Sequence, residues 1–402
     1  MNKINLNRFI LFYLFSISLF VIFYLWIKHT VGNDSSISEW LINYKGGFTR
    51  RGLGGEAAIL FSNILEIDLR KSIMFLQIFF HCTYLLLLFY YLKNLKINLI
   101  QLFAIFSPIF LLYPIAEIEV LGRKEIFLFL LFLSVIFFSN KRYSQKVTNL
   151  LIFFIFPIVI LIWEQIVLFA PFFLCVLIIK NKIRTLQEVL FRSIIIFLPS
   201  IITFIYIFLN PMTLEEHLNM SEYLKINFNE NCYMSCDLLI RNTIYFDTFE
   251  VVHRNTNIVH YFRYLMIFLI GFMPLHILLF QNNFRKKDNF LSLNFRPHNL
   301  FFLLYLPVIV LFLFGSDWGR WINITYTFSI LFYLYLLIEK QITNNLEISG
   351  KNFFLVNKNK LLIGIIFVIF CFGWNPKTSI TGDIGSFPIY RIPYKAINLI
   401  NN

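Results

Sequence analysis

Long apolar runs separated by short polar connections recur along the whole chain, and each is about long enough to cross a bilayer as a helix. They lie at residues 9–27, 72–92, 97–113, 126–138, 148–163, 166–179, 193–209, 260–280, 299–314, 322–338 and 361–372. The pattern predicts an all-α polytopic transmembrane helical bundle of about 11 spans. The first run follows Lys3 and Arg8 and is followed by His29, Val31 and Gly32 rather than by a small-residue cleavage site, so it is expected to stay as a signal anchor. The stretch 148–179 carries Trp163-Glu164-Gln165 near its middle. One helix of that length would greatly exceed the hydrocarbon thickness, so two short spans meeting at Glu164 are expected.

Lys and Arg fix the orientation. They dominate every second connection, including 140–146, 180–192 and 281–287, while most of the acids fall on the other side. The asymmetry places the N-terminus in the cytoplasm and the C-terminus outside. In a bacterial inner (cytoplasmic) membrane the outer side is the periplasm. Composition strengthens this picture: 58% of residues are hydrophobic and only 14% charged, far from the balance of soluble domains. The net charge of +13 accompanies an excess of Phe, Ile, Asn and Lys typical of an AT-rich genome, so no nucleic-acid partner is inferred.

The chain therefore reads as one integral membrane domain, 1–402, with two polar outer segments at 28–71 and 210–259. Residues 182–192 resemble a short helix lying on the membrane. His81 and His276, inside spans, read as hydrogen-bonded structural residues, and the tail from Asn375 onward as an irregular outer segment without chemistry.

Candidate chemistry concentrates in the outer connections. The stretch 43–56 reads Asn-Tyr-Lys-Gly-Gly-Phe-Thr-Arg-Arg-Gly-Leu-Gly-Gly-Glu. Its glycines let the backbone turn tightly and approach a ligand, two adjacent guanidiniums can fork onto phosphate oxygens, and the run 56–65 can begin a helix whose N-terminus beside Arg50 and Arg51 would favour an anion. Further mixed-charge connections are 117–125, with Arg123, Lys124 and Glu125; the break at Glu164; and 315–321, with Asp317 and Arg320. Unpaired charge near lipid is costly, so these connections are expected to converge on one polar site. Lys45, Arg50, Arg51, Arg123, Lys124 and Arg320 are the candidate phosphate and substrate ligands. Glu56, Glu125, Glu164 and Asp317 are the candidate bases, with Asp317 favoured as a single acid next to Gly and Arg in a short connection between two spans. No metal site or cofactor is assigned, although carboxylates serve metal and metal-free chemistry alike. Cys232 and Cys236 fit a disulfide in an oxidising compartment, with a zinc site using His217, His253 or His260 as the alternative.

Arginines, carboxylates and a membrane rim together suit sugar transfer from a polyprenyl phosphate or diphosphate carrier, whose tail stays in lipid. The many Phe-rich spans, the arginine-bearing outer loops and the long outer loop in the second half resemble bacterial surface-polysaccharide polymerases of the Wzy type. The loops 45–52 and 317–321 also resemble those of uncharacterised inner-membrane proteins associated with such glycans. The resemblance implies a periplasmic glycosyltransferase that polymerises O-antigen or capsule repeat units. Its partners would be a polyprenyl-linked oligosaccharide, membrane lipid, and polysaccharide export or chain-length machinery. The competing family is the GT-C glycosyltransferases, single-sugar enzymes that place acids in the first outer loop, where this chain has Asp34, Glu39 and Glu56 but no adjacent acidic pair. A different class also stays open, a transporter or flippase of a lipid-linked or anionic solute, as does a noncatalytic assembly role.

Overall fold

A computed structural model describes residues 3–30, 35–93, 95–139, 144–237, 239, 252–254, 256–342, 360–386, 392–394, 397, 398 and 400. Most of the middle of the 210–259 segment, and the connection 343–359, lie outside the described residues. In chain order the principal helices are α1 (Lys3–Lys28), α2 (Ser35–Leu41), α3 (Gly52–Leu65), α4 (Leu69–Leu92) and α5 (Leu99–Ile105). Then come α6 (Ile126–Ser139), α7 (Phe156–Ile162), α8 (Ala170–Asn181), α9 (Leu186–Leu209) and α10 (Leu214–Phe228). The last are α11 (Ile258–Gln281), α12 (Pro297–Tyr305), α13 (Trp318–Ile338) and α14 (Lys360–Phe372). The strands among the described residues form one small antiparallel pair, β1 (Trp374–Asn375) with β2 (Gly385–Ser386).

Among the described residues eight helices are long and apolar enough to cross a membrane, which makes this a multi-pass membrane protein. They cover eight of the expected runs. Runs 126–138 and 361–372 are helical but shorter, and Gly52–Leu65 is an apolar helix that begins ahead of the run 56–65 expected to start one. Run 97–113 is not one helix: α5 stops at Ile105, ahead of Pro108, which lacks an N–H and biases its predecessor away from helical geometry. Residues 182–192 do not form a separate surface helix either, because 186–192 is the first part of the 24-residue α9.

The stretch 148–179 does break at its centre. Residues 151–155 form a π-helical turn ahead of Pro157, α7 ends at Ile162, and Trp163 is extended (φ −158°, ψ 100°) before a 3-10 turn, Glu164–Phe169. Glu164 thus sits where two helical runs meet.

The chain divides into two compact units. The first comprises residues 1–93, 118–177 and 187–242. Here α1 and α6 pack on α4, and α3 packs on α2, α4 and α7. Gly52, Gly54, Gly55, Ala58, Ile59 and Ser62 form the buried face of α3, and such small side chains let helices approach closely. Its other edge exposes Leu60, Ile64 and Leu65.

Helix α10, capped by Thr213 and Glu216 in a reciprocal capping box, folds against this first polar segment. Leu224 joins Ile37, Trp40, Leu41, Ala58, Ile59, Leu69 and Ile73 in one apolar cluster. Met212 and Met220 join Ile42, Cys236 and Leu239 in another. Each fully buried aliphatic side chain contributes about 1.5–3 kcal/mol, enough for these clusters to hold the two segments together. Gly46 makes the approach possible, since a Cβ there would collide with the Glu216 carbonyl oxygen and come within 2.6 Å of the Met220 nitrogen.

The second unit comprises residues 94–117, 178–186 and 243–402. Helix α11 packs on α5, α12 and α13. Helix α13 is buried along nearly its whole length. Its Asn323 Nδ2 donates to the carbonyls of Ile109 and Phe110, at 2.8 and 2.9 Å, and Tyr326 Oη donates to the Ala104 carbonyl at 2.7 Å. Irregular backbone within an apolar run needs such partners, and these side chains let run 97–113 break inside the protein.

Candidate functional site

In the first unit the Gly/Arg loop enters α3 through Arg51, which adopts left-handed geometry (φ 64°) at the N-cap. That turn places the Arg51 side chain on Glu164. Its Nε donates to both carboxylate oxygens, at 3.1 and 2.9 Å, and its Nη2 donates to Oε1 at 2.7 Å. Arg50 Nη1 stands 3.8 Å from the same carboxylate. The Arg51 and Glu164 side chains are largely buried, whereas that of Arg50 is 41% exposed.

Lys124 closes the lattice from behind. Its Nζ donates to the Arg51 carbonyl at 2.7 Å, and it is fully buried. Gly54 leaves room for it, because a Cβ there would stand 2.9 Å from Lys124 Cε. Burial drives the Lys124 ammonium down to about 7; Glu39, Glu164 and Glu125 pull it upward and Arg51 opposes them. Next along the chain, Arg123 Nη1 donates to Glu39 Oε1 at 2.7 Å, with the Glu39 side chain buried and that of Arg123 largely so. The Gly122 carbonyl accepts from Trp40 Nε1 and Gln77 Nε2, each at 2.7 Å, which ties this connection to α2 and α4. Glu125 is buried as well.

Lys45 and Glu56 form the accessible part. Lys45 Nζ lies 2.6 Å from Glu56 Oε1, with side chains 35% and 29% exposed, and Glu56 Oε2 accepts from the Tyr44 backbone N–H at 3.3 Å. The hydrogen bond to Glu56 raises the Lys45 pKa. Burial, helped by the Glu56 charge, pushes the Tyr44 phenol up to about 12. The structure thus gathers Arg50, Arg51, Lys124 and Glu164 directly, with Arg123, paired to Glu39, and Glu125 beside Lys124 in the chain. Lys45 and Glu56 hold the two ends of the loop together.

Asp317 and Arg320 belong to the second unit. Arg320 Nη1 donates to Asp317 Oδ2 at 3.1 Å across the first turn of α13, and its guanidinium lies 5.0 Å from the Trp321 ring centre. The segment after α14, expected to be irregular, makes specific contacts within its described residues 373–386. Lys377 Nζ donates to Glu117 Oε1 at 3.1 Å, Tyr264 Oη donates to the Lys377 carbonyl at 2.7 Å, and the Gly319 N–H donates to the Thr378 carbonyl at 3.0 Å.

Sequence reasoning passed over Glu39 as a site residue, and also Arg70, Glu230 and Tyr233. Glu39 lies in an apolar stretch beside Trp40, and its acidity there was the available signal. Arg70 and Glu230 are separated by 160 residues and carry no local motif. Cys232 and Cys236 are paired as a disulfide, with a Cα–Cα distance of 5.3 Å. His217 Nε2 lies 3.2 Å from Cys232 Sγ, and these three residues are a possible metal-binding group among the described residues. A paired disulfide has no thiolate to offer a zinc ion, so the residues as found do not fit one. His253 contacts Tyr261 and the Leu313 carbonyl instead. Comparison with protein-family models, with curated proteins and with solved structures finds no match.

Proposed function

We propose that the protein is a membrane glycosyltransferase that takes its donor sugar from a polyprenyl phosphate or diphosphate, acting at the periplasmic face in surface-polysaccharide assembly. The observation that carries the reading is the half-exposed Arg50 on a glycine loop whose other arginine is braced by buried Glu164 and Lys124, next to the apolar helix α3. Arg50 and Lys45 would hold the carrier phosphate, while Arg51, Glu164 and Lys124 keep the loop in place. Preorganised cations of this kind stabilise charge that develops on a departing phosphate.

The step requires an acceptor hydroxyl oxygen to bond to the anomeric carbon as the bond from that carbon to the phosphate oxygen breaks. The electron pair leaves with the phosphate, and the hydroxyl proton passes to a carboxylate. Glu56, the more accessible acid and the ion-pair partner of Lys45, suits that role in the first unit, and Asp317 is the candidate in the second. Polymerisation of repeat units is the reading the resemblance favours. Glu39, ion-paired in the first extramembrane segment, favours single-sugar transfer of the GT-C kind as the second reading.

Mass spectrometry of lipid-linked oligosaccharides from a strain lacking the protein separates them. One complete repeat unit accumulates if it polymerises, and a unit short of one sugar accumulates if it adds that sugar. An unchanged profile with normal glycan rejects both.

A further inference from the structure

None of the lattice residues lines the cleft of ≈ 1020 Å³ that opens elsewhere in the first unit, among the C-terminal end of α1, the α3–α4 turn and the C-terminal end of α10. Its floor is a fixed polar network. Arg70 Nη2 donates to Glu230 Oε2 at 2.9 Å and to Tyr233 Oη at 3.3 Å, Arg70 Nε also bonds Glu230, and the guanidinium lies 5.9 Å from the Tyr233 ring centre. Glu66 and Asn229 both take left-handed backbone geometry (φ 52° and 53°), ending α3 and α10 abruptly at the cleft wall. The disulfide flanks Tyr233 and restrains the segment that carries it.

The cleft's cations are matched within its own walls, which leaves the Glu66 carboxylate over. Arg70 is matched by Glu230 and Lys71 by Asp68, at 2.8 Å, so no surplus of cations selects a phosphate. What remains toward solvent is the Glu66 carboxylate, the Thr30 hydroxyl, the carboxamides of Asn63, Asn227 and Asn229, and the half-buried rings of Phe228 and Tyr233. The Thr30 hydroxyl donates to the Ile27 carbonyl at 3.1 Å, and Asn227 Nδ2 donates to the Tyr223 carbonyl at 2.9 Å. Carboxamides both donate and accept, as each sugar hydroxyl does, and aromatic faces suit the C–H faces of pyranose rings. Convergent polar groups beside apolar rings in a concave site are the ordinary make-up of a small-molecule site.

We propose that this cleft binds an uncharged saccharide. Its role as the acceptor site rests on the transferase reading above, but the binding itself does not. The saccharide could be free or borne on a lipid. The cleft adjoins the ends of α1 and α4, and Ile64 and Leu65 of α3 and Ile226 of α10 stand exposed around it.

The test is saturation-transfer NMR on the full-length protein in nanodiscs, using maltotriose, chitotriose and mannotriose. At least one should show transfer that falls at least fivefold in Asn63→Trp and in Asn227→Trp, two exposed positions whose new rings fill the cleft. Displacement by mannosyl-phosphoundecaprenol beyond that by undecaprenyl phosphate assigns a lipid-borne sugar; equal weak displacement assigns a free one. The proposal is overturned if none of the three saccharides shows transfer, if transfer persists in both filled variants, or if undecaprenyl phosphate alone displaces the saccharide completely. Precursor accumulation in the deletion strain is read separately, so loss of the cleft assignment leaves the transferase reading standing, and the reverse.

Discussion

Arg51 grips Glu164, 113 residues further along the chain, through three hydrogen bonds of 2.7 to 3.1 Å from one guanidinium. The pair joins the Gly/Arg loop to the point where two helical runs meet, and both side chains are mostly buried. Removing one partner of such a pair strands a buried charge, at a cost of about 3–5 kcal/mol. Arg51→Ala and Glu164→Gln should therefore each lower the unfolding temperature in detergent, and the double variant should lose much less than the sum. Strict additivity, within about 0.5 kcal/mol, would show that the two side chains do not interact.

Lys124 makes stability depend on pH. The unfolded chain keeps this proton up to 10.5, whereas burial lets the folded protein keep it only to about 7. Between those values the unfolded state binds more protons, so stability rises as pH increases through the window and is lowest at and below its acid end. Thermal melts of the wild type and of Lys124→Met between pH 6 and about 9.5 check this. The methionine variant should show the flatter dependence.

Glycine positions give a graded series. Gly46→Ala drives a Cβ into the backbone of α10, Gly54→Ala presses on the Lys124 side chain at 2.9 Å, and Gly364→Ala meets nothing within 4 Å. Folded yield from membranes should fall most for Gly46→Ala, less for Gly54→Ala, where a flexible chain end can shift, and not at all for Gly364→Ala. Equal yields for the first and last would mean that α10 does not dock on the loop.

Thiol counting tests the disulfide. Of the five cysteines, Cys82, Cys175 and Cys371 are free. Maleimide labelling after denaturation without reductant should modify three thiols, and after reduction five. Five without reductant would place Cys232 and Cys236 in the reduced state and reopen the metal alternative with His217.

Most of the helical layout was legible because a span must be long and apolar, and that signal survives without knowledge of partners. The break at Glu164 was legible for the same reason, since the run is too long for one crossing. The break after Ile105 was hidden because its surroundings stay apolar. Asn323 and Tyr326, more than 200 residues away, supply side-chain bonds that make it tolerable. The first turn of helix α3 was missed for the opposite reason: Gly52, Gly54 and Gly55 read as a flexible loop ahead of the helix expected from Glu56, although their role is close packing of one helix face. Arg50, Arg51, Lys124 and Glu164 stood out as charges in apolar surroundings. Their pairing did not, and neither did the Arg70–Glu230 floor, because ion pairs between distant segments leave no spacing to read.

Arg50 is the lattice cation whose removal costs the fold least, being 41% exposed and 3.8 Å from its carboxylate. The decisive measurement is the lipid-linked oligosaccharide profile of a deletion strain carrying Arg50→Ala at wild-type membrane levels. The account predicts that the precursor accumulated by the deletion strain appears again while the unfolding temperature stays near that of the wild type. Normal surface glycan with no precursor would contradict it.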